Sequence, residues 1–557
     1  MKEKWTTLQH NGVLFPKEYK YIGFDKNISS LAEEMLYHYS AKLETDYVKD
    51  FTFNSNFWKA LKQQLPKDYQ SKKFPEDFLP LIKIIFSHIQ KKKEALKQIS
   101  KETKTCEKKE KEEIKSKYGY AILNGEKQPL GMYIVESAGI FLPRGKHPST
   151  GCWKFRPEPK DIIINHSLHL NPPKGDWKVV ENKKSMELAT YDIKLSNGKV
   201  LHKRILFGAT SIVKQDSDKK KFDKAIILLN HWNKVEQHIE KNLSHKDEKR
   251  KQSAIVSYLI MNLGIRVGDE KDDDLADTVG ASTLKKCNIQ LLDDNNIHLS
   301  FLGKDSVTFE KTITVSTKAY KTLQELYIKR QDKDMLFPKV CSIDVNKFLS
   351  EVVEGISAKV FRTAYGSLLL AENLRKETCE GMTLAEKISV FNKANLVVAK
   401  QLNHQKNMDK NQKEKEIDIS KKIKELKANY KEVLEKNTDK IQKLKKQLKA
   451  VDTTTLTKET KKQMKELMTN KIVKLEVQIE KAKNRIVESQ LKLELKKETK
   501  DVALGTSKTS YSSPRIVVSW CKDVKVPIEK IYSKTLLSKF EWALDTEKDY
   551  YKKYPQV

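Results

Sequence analysis

Three observations predict an α+β protein of several domains. The chain has 557 residues, more than one hydrophobic core organises, so roughly two to four domains or subdomains are expected. Residues 1 to about 215 mix strand-like pieces with proline-marked turns, whereas residues 216 to about 410 read mainly as helix. From about 411 to 500 the composition narrows to lysine, glutamate, glutamine and spaced apolar residues, the texture of long solvated helices.

In the first region, Phe141-Leu142-Pro143-Arg144-Gly145 marks a turn, and Gln90 to Tyr118 predicts a helical stretch solvated on most faces. In the second, Ile297, Leu299 and Phe301 alternate, Gly303-Lys304-Asp305-Ser306 turns, and Val307 and Phe309 alternate again: a β-hairpin. In the third, Ile423, Leu426, Tyr430 and Val433 follow 3-4-3 spacing, which Leu444, Leu448 and Val451 resume. Asp452-Thr453-Thr454-Thr455 breaks the pattern, and Met468, Ile472, Leu475, Ile479, Ala482 and Ile486 restore it. Two such stripes around a short break predict an antiparallel helical hairpin. From about 501 globular composition returns with Ile516, Val517, Val518 and Trp520, in a region so short that it must dock onto the main body.

Lysine and arginine total 107 against 75 acids, a formal charge of +32. Such a chain is drawn to polyanions, and its affinity should fall steeply with salt as counterions are released. Charge alone leaves ribosome, RNA, DNA and anionic membrane open. No run approaches the roughly 20 apolar residues that span a bilayer, and the opening MKEKWTTLQHNG lacks the apolar core of a signal peptide. Cys106, Cys152, Cys287, Cys341, Cys379 and Cys521 form no C-x-x-C pair, which argues against a zinc site or a disulfide framework.

Several side chains carry possible chemistry. Arg266 continues the helical stripe of Ile255, Leu259 and Leu263, and a guanidinium on a core-facing stripe needs an anion opposite it. That anion is either a ligand or an acid of the chain such as Asp269 or Glu270. Lys304 at the hairpin tip reads as a solvated turn lysine or as an amine reaching into a groove. Lys359 and Arg362 share one helix face. His404 closes a helix whose stripe runs Phe391, Val398 and Leu402, where the helix dipole favours a protonated ring; a structural role is the plainer reading. Tyr511 lies in a polar loop, Gly505 to Pro514, one of twenty tyrosines and unremarkable alone.

Together these residues sit in longer blocks. Gly264-Ile265-Arg266-Val267-Gly268-Asp269-Glu270, Ala276-Asp277-Thr278-Val279-Gly280, Phe301-Leu302-Gly303-Lys304-Asp305-Ser306, Lys359-Val360-Phe361-Arg362-Thr363, Asn403-His404-Gln405 and Leu504-Gly505-Thr506-Ser507-Lys508 occur in that order. Arg144-Gly145-Lys146-His147-Pro148, Asp161-Ile162-Ile163-Ile164-Asn165 and Val526-Pro527-Ile528-Glu529-Lys530-Ile531-Tyr532 accompany them. In sequence, order and spacing these blocks resemble those of the eukaryotic type IB topoisomerase I family, from near Trp5 to the C-terminus.

The resemblance implies a catalytic set of Arg266, Lys304, Arg362, His404 and the nucleophile Tyr511, with Arg144, His147, Lys359, Asp305 and Ser510 as DNA-binding positions. It implies a multi-domain clamp around double-stranded DNA: a cap from residues 1–215, a mainly helical catalytic domain of the tyrosine recombinase/type IB kind from 216–410, a coiled-coil linker from 411–500, and a C-terminal domain from 501–557 carrying Tyr511. It further implies a monomer working without metal, ATP or other cofactor, and not on a membrane. The family's long basic tail ahead of the core is expected to be missing, which leaves the location open between the nucleus and a viral or cytoplasmic site of DNA replication. Ser510 stands where the family commonly has asparagine, beside the pocket used by camptothecin-type drugs, so weak drug sensitivity is expected.

Two rivals share parts of this pattern. A tyrosine recombinase uses similar residues but usually has His-x-x-Arg where this chain has Lys359-x-x-Arg362, and it lacks the long hairpin before the tyrosine. A non-enzymatic basic coiled-coil protein that coats nucleic acid explains the charge and the heptads but not the five aligned catalytic positions.

Overall fold

Leu8 and His10 are buried while Gln9 between them is exposed, the period-two pattern that makes β1 (Leu8–His10) a half-buried strand. The computed structural model describes residues 3–98, 101–143, 145–268, 279–304, 307–406, 412–451 and 457–556. Its contacts divide the chain into two units: Met1–Lys220 with Gly268–Thr314 and Gln331–Leu336, and Lys221–Val267 with Val315–Arg330 and Phe337–Val557. Helices and several small sheets together make it an α+β fold.

In the first unit, β1 pairs antiparallel with β2 (Tyr120–Leu123), which pairs with β3 (Glu126–Pro129). β4 (Gly139–Ile140) pairs with β5 (Trp153–Lys154). A four-stranded sheet follows from β6 (Ile162–Asn165), β7 (Lys178–Val180), β8 (Glu187–Lys194) and β9 (Val200–Leu206), ordered β7-β6-β8-β9 with only β6 and β7 parallel. Trp5, Leu8, Cys152, Ile162, Leu188 and Leu201 belong to the core shared by these sheets. A second core is built on α1 (Ser30–Ser40), α2 (Phe51–Lys62), α3 (Lys67–Gln70) and α4 (Leu79–Lys97), where the Tyr39 and Phe57 rings stack at 4.9 Å. Each fully buried side chain of this size stabilises the fold by about 1.5–3 kcal/mol. α5 (Lys101–Tyr118) is exposed at most described positions, as its lysine and glutamate content predicts.

The predicted hairpin is present. β11 (Asn296–Gly303) pairs with β12 (Val307–Thr314), Phe301 facing Phe309 and Gly303 facing Val307. A third strand, β10 (Ile289–Leu291), adds to its outer edge; three residues are too few for a periodic signal.

In the second unit, α6 (Ile212–Asn230) brings the chain in and α7 (Trp232–Asn242) leads to α8 (Glu248–Leu263). Every residue of α8 from Gln252 to Met261 is buried, as a central helix requires. Asp247 caps its start by accepting the Arg250 backbone N–H at 2.8 Å. Gly264 ends it in the left-handed conformation, φ +63°, that a residue without Cβ adopts at least cost. Arg266 is therefore not on the helical stripe. It lies beyond the helix end and is exposed.

α9 (Thr317–Ile328), α10 (Ser342–Ser350), α11 (Ala358–Arg375) and α12 (Leu384–Gln401) complete the helical body. α13 (Gln412–Ala450) and α14 (Lys458–Glu498) are the predicted long helices. The Lys406 N–H donates to Asp501 O at 2.9 Å, which joins the start of one to the end of the other and makes the pair antiparallel. Ile423, Ile441 and Ile472 are buried along the pair, and Asn437 donates to Gln478 at 3.2 Å. The break at Asp452–Thr455 lies outside the described residues.

α15 (Leu504–Ser510), α16 (Pro514–Asp523), α17 (Lys534–Lys539) and α18 (Tyr550–Lys553) form the last region. It docks as expected: Arg515 pairs with Asp223 at 2.7 Å, and Arg375 donates to Tyr554 O at 3.0 Å. No helix among the described residues is long and apolar enough to cross a membrane.

Candidate active site

The site begins with a buried charge. Arg362, in the second turn of α11, is 6% exposed, yet no carboxylate pairs with it among the described residues. Its guanidinium donates instead to Gly264 O and, at 2.9 Å, to Leu402 O. Those carbonyls are the C-caps of α8 and α12, so two helix C-termini, each the negative end of a dipole, hold the cation. The carbonyls satisfy donors without cancelling the charge. The remaining nitrogen, Nε, is buried and has no partner among the described residues.

The same α12 terminus delivers the imidazole. Asn403 takes a left-handed φ of +54°, and the His404 N–H folds back onto Ala399 O at 2.8 Å. His404 O then accepts the Ala503 N–H at 2.7 Å, which ties the turn to the segment entering α15. Asn395, fully buried on α12, receives the Ser507 hydroxyl at 2.7 Å and donates to Leu504 O at 3.0 Å. α15 is thereby fixed, and Tyr511 is its C-cap, with its N–H on Ser507 O at 3.0 Å. The loop predicted around Tyr511 is thus a short helix, because Asn395 and Ser507 supply bonds that the local sequence does not reveal.

α11 presses on the tyrosine from the other side. A Cβ on Gly366 would stand 2.8 Å from Tyr511 Cβ, so this position admits only glycine without a shift. Ser367 Oγ donates to Tyr511 O at 3.1 Å and accepts the Ser513 N–H at 3.0 Å. The outcome is a close cluster. The His404 and Tyr511 rings stack with centroids 5.1 Å apart, and the Arg362 guanidinium carbon lies 4.9 Å from the Tyr511 ring.

Electrostatics follow from this packing. Burial pushes the Tyr511 phenol up, but Arg362, Arg266 and Lys359 outweigh it and hold it below its ordinary 10. Burial, with Arg362 and Arg266 adding to it, lowers His404 from 6.5 to about 3. The protonated ring expected from the helix dipole is therefore not the state of the free protein: two guanidiniums and desolvation exceed one helix end. Both His404 ring nitrogens are buried without a hydrogen-bond partner among the described residues. An anion entering here would meet Arg362, Arg266 and the imidazole, beside a phenol easier to ionise than usual. Such an arrangement can hold a phosphate ester next to an oxygen able to act as a nucleophile.

The other predicted residues fall as follows. Lys359 is exposed on α11 and lowers the Tyr511 phenol from there; Ser510 is the last residue of α15, directly before it. Lys304 is exposed just after β11 and belongs to the first unit. His147, also in that unit, is 7% exposed, accepts the Ser149 N–H at 3.0 Å and packs its edge on Phe141. Arg144, Asp305, Asp269 and Glu270 lie outside the described residues. Sequence reasoning missed Gly366, Ser367 and Asn395, and it named Ser507 only as part of the Leu504–Lys508 block. Only Asn395 carried a signal, an amide set between Phe391 and Val398 on an apolar stripe. Among the described residues, no group of three or more His, Cys, Asp or Glu is placed to hold a metal ion.

Three family models match the chain in succession. They are described as eukaryotic DNA topoisomerase I, DNA binding fragment, over residues 3–203; eukaryotic DNA topoisomerase I, catalytic core, over residues 210–438; and C-terminal topoisomerase domain, over residues 483–552. DNA topoisomerase 1 alpha and 1 beta of Arabidopsis thaliana are 37% and 35% identical to it over 562 residues, 99% of this chain. The chain spans 59% of the length of those two relatives. DNA topoisomerase 1 of Rattus norvegicus is 32% identical over 575 residues, which cover 98% of this chain and 71% of the relative. With every block that suggested the resemblance inside these matches, the chain belongs to the eukaryotic DNA topoisomerase I family.

Proposed function

We propose that the protein is a type IB DNA topoisomerase that relaxes positive and negative supercoils without ATP or metal. The observation that carries this is the Tyr511 phenol, drawn below its ordinary range against its burial by Arg362, Arg266 and Lys359, beside an imidazole whose nitrogens have no partner among the described residues. Tyr511 Oη gives up its proton to solvent and attacks a backbone phosphorus. A 3′-phosphotyrosine bond forms as the bond to the 5′ oxygen breaks, and Lys304 protonates that leaving oxygen. Arg266, Arg362 and His404 donate to the non-bridging oxygens as charge builds there. The free strand rotates about the intact one, and the 5′ hydroxyl then attacks the phosphotyrosine and restores both groups. The bond energy stays in the covalent link, so no nucleotide is needed.

The finer architecture we assign is a clamp on double-stranded DNA, formed by a monomer. Residues 1–215 act as the cap, with Arg144 and His147 toward the duplex; 216–410 are the catalytic domain; 411–500 are a coiled-coil linker that slows rotation; and 501–557 bring in Tyr511. Lys359, Asp305 and Ser510 contact DNA beside the cut. The site of action is the nucleus, or a viral or cytoplasmic replication site.

The test is relaxation of plasmids of both supercoil signs in EDTA without ATP, with Tyr511→Phe in parallel. Both signs should relax, and the substitution should abolish the activity. Binding without relaxation would leave a protein that only coats DNA, and activity surviving in Tyr511→Phe would mean another nucleophile.

A further inference from the structure

Away from the tyrosine cluster, the second unit contains a cleft of about 450 Å³ between the first turns of α12 and the last turns of α14. Leu384, Ala385 and Ile388 of α12 and Leu491 and Leu495 of α14 give it an apolar lining. Leu384 is 41% exposed, so this lining is not closed by protein. The rim is cationic, with Lys481, Arg485 and Lys492 from α14 and Lys530 from the loop after α16. The one acid lining the cleft among the described residues, Glu488, is bound to Lys492 at 2.5 Å. Four cations less one carboxylate leave a net charge of +3 around an apolar hollow.

A hollow of this size suits a small molecule, and its two characters demand two from the occupant. The apolar lining returns free energy only when a hydrocarbon or aromatic surface covers it. The rim then favours an anionic group on that same molecule. The N-terminus of α12 is not what attracts the anion, because Thr383 and Glu386 already cap it reciprocally. We propose that this cleft binds one small organic anion with an apolar body: an aryl or alkyl carboxylate, sulfonate or phosphate. The occupant bridges two helices that matter elsewhere. α12 ends in the turn that presents His404, and α14 runs on to the segment that presents Tyr511. One turn away, Lys393 on α12 and Glu494 on α14 already join the same seam at 3.1 Å.

The probe is 8-anilinonaphthalene-1-sulfonate, titrated by fluorescence into the full chain without DNA, so the result does not depend on the proposed activity. One probe per chain should bind. Arg485→Ser should weaken it at least about fivefold by removing a rim cation, and Ser389→Trp should abolish it by filling the cleft. Neither position belongs to the tyrosine cluster, and unchanged melting temperatures would show that both variants fold. The uncharged N-phenyl-1-naphthylamine should bind at least about tenfold more weakly, and inorganic phosphate at equal concentration should not compete, because it lacks the apolar body. Probe binding that neither substitution alters, or equal affinity for the uncharged analogue, would overturn the proposal.

Discussion

His404 makes the stability of the Tyr511 cluster depend on pH. An imidazole near 3 when folded and 6.5 when free means that the unfolded chain binds the extra proton between those values. The stability involved is whole above about pH 6.5 and is lost as pH falls toward 3; His10, held near 4 by burial, has the same sign. His404→Leu should therefore lose less melting temperature than the parent between pH 7 and 4.5, while relaxation falls about 10²-fold through the lost donor. Parallel acid curves would mean that the folded ring is already charged. Gly366→Val makes a different demand, since its side chain must displace Tyr511 Cβ and the carbonyl oxygen 2.9 Å away. Plasmid relaxation should drop at least about 10²-fold with DNA retention on filters unchanged, as a small misplacement of a nucleophile does. Normal relaxation would show that the tyrosine has room to move. The catalytic candidates were legible because they sit in recognisable blocks. Gly366 and Ser367 were not, because their meaning comes from a contact 144 residues away in the chain for Ser367.

Helices and hairpins were legible in proportion to their length. The stripes of α13 and α14 and the alternation around Phe301 and Phe309 repeat often enough to be read, whereas β10 does not. Helix ends were harder. The stripe that seemed to carry Arg266 stops at Leu263, since Gly264 supplies a left-handed cap that apolar periodicity cannot register. In the long pair, Asn437 is 5% exposed on an otherwise apolar seam and bonds to Gln478, which is itself exposed. A polar residue in such a place fixes register at a cost in stability. Asn437→Leu should raise the unfolding free energy by on the order of 1 kcal/mol, read as a higher urea midpoint, because water can satisfy the freed Gln478 while leucine buries apolar surface. A lowered midpoint would mean that the amide bond is worth more than the burial.

Composition pointed to a polyanion partner but not to the partition of the chain. Gly268–Thr314 packs with the first unit, by contacts far apart in sequence that no local period encodes. The charge of +32 has a consequence that belongs to neither unit alone. If it is directed at phosphates, log affinity for plasmid must fall linearly with log salt, because each neutralised phosphate releases counterions. With roughly six to ten phosphate contacts, affinity should drop about 10³–10⁵-fold between about 50 and 200 mM salt. Tyr511→Phe should show the same slope, since a phenol neutralises no phosphate and binding does not require cleavage. Lys359→Ala should flatten the slope by about one, the signature of a single lost contact. A slope near zero for the parent protein would place the positive charge away from the DNA path. Equal slopes for the parent and Lys359→Ala would leave that lysine acting on the Tyr511 phenol alone.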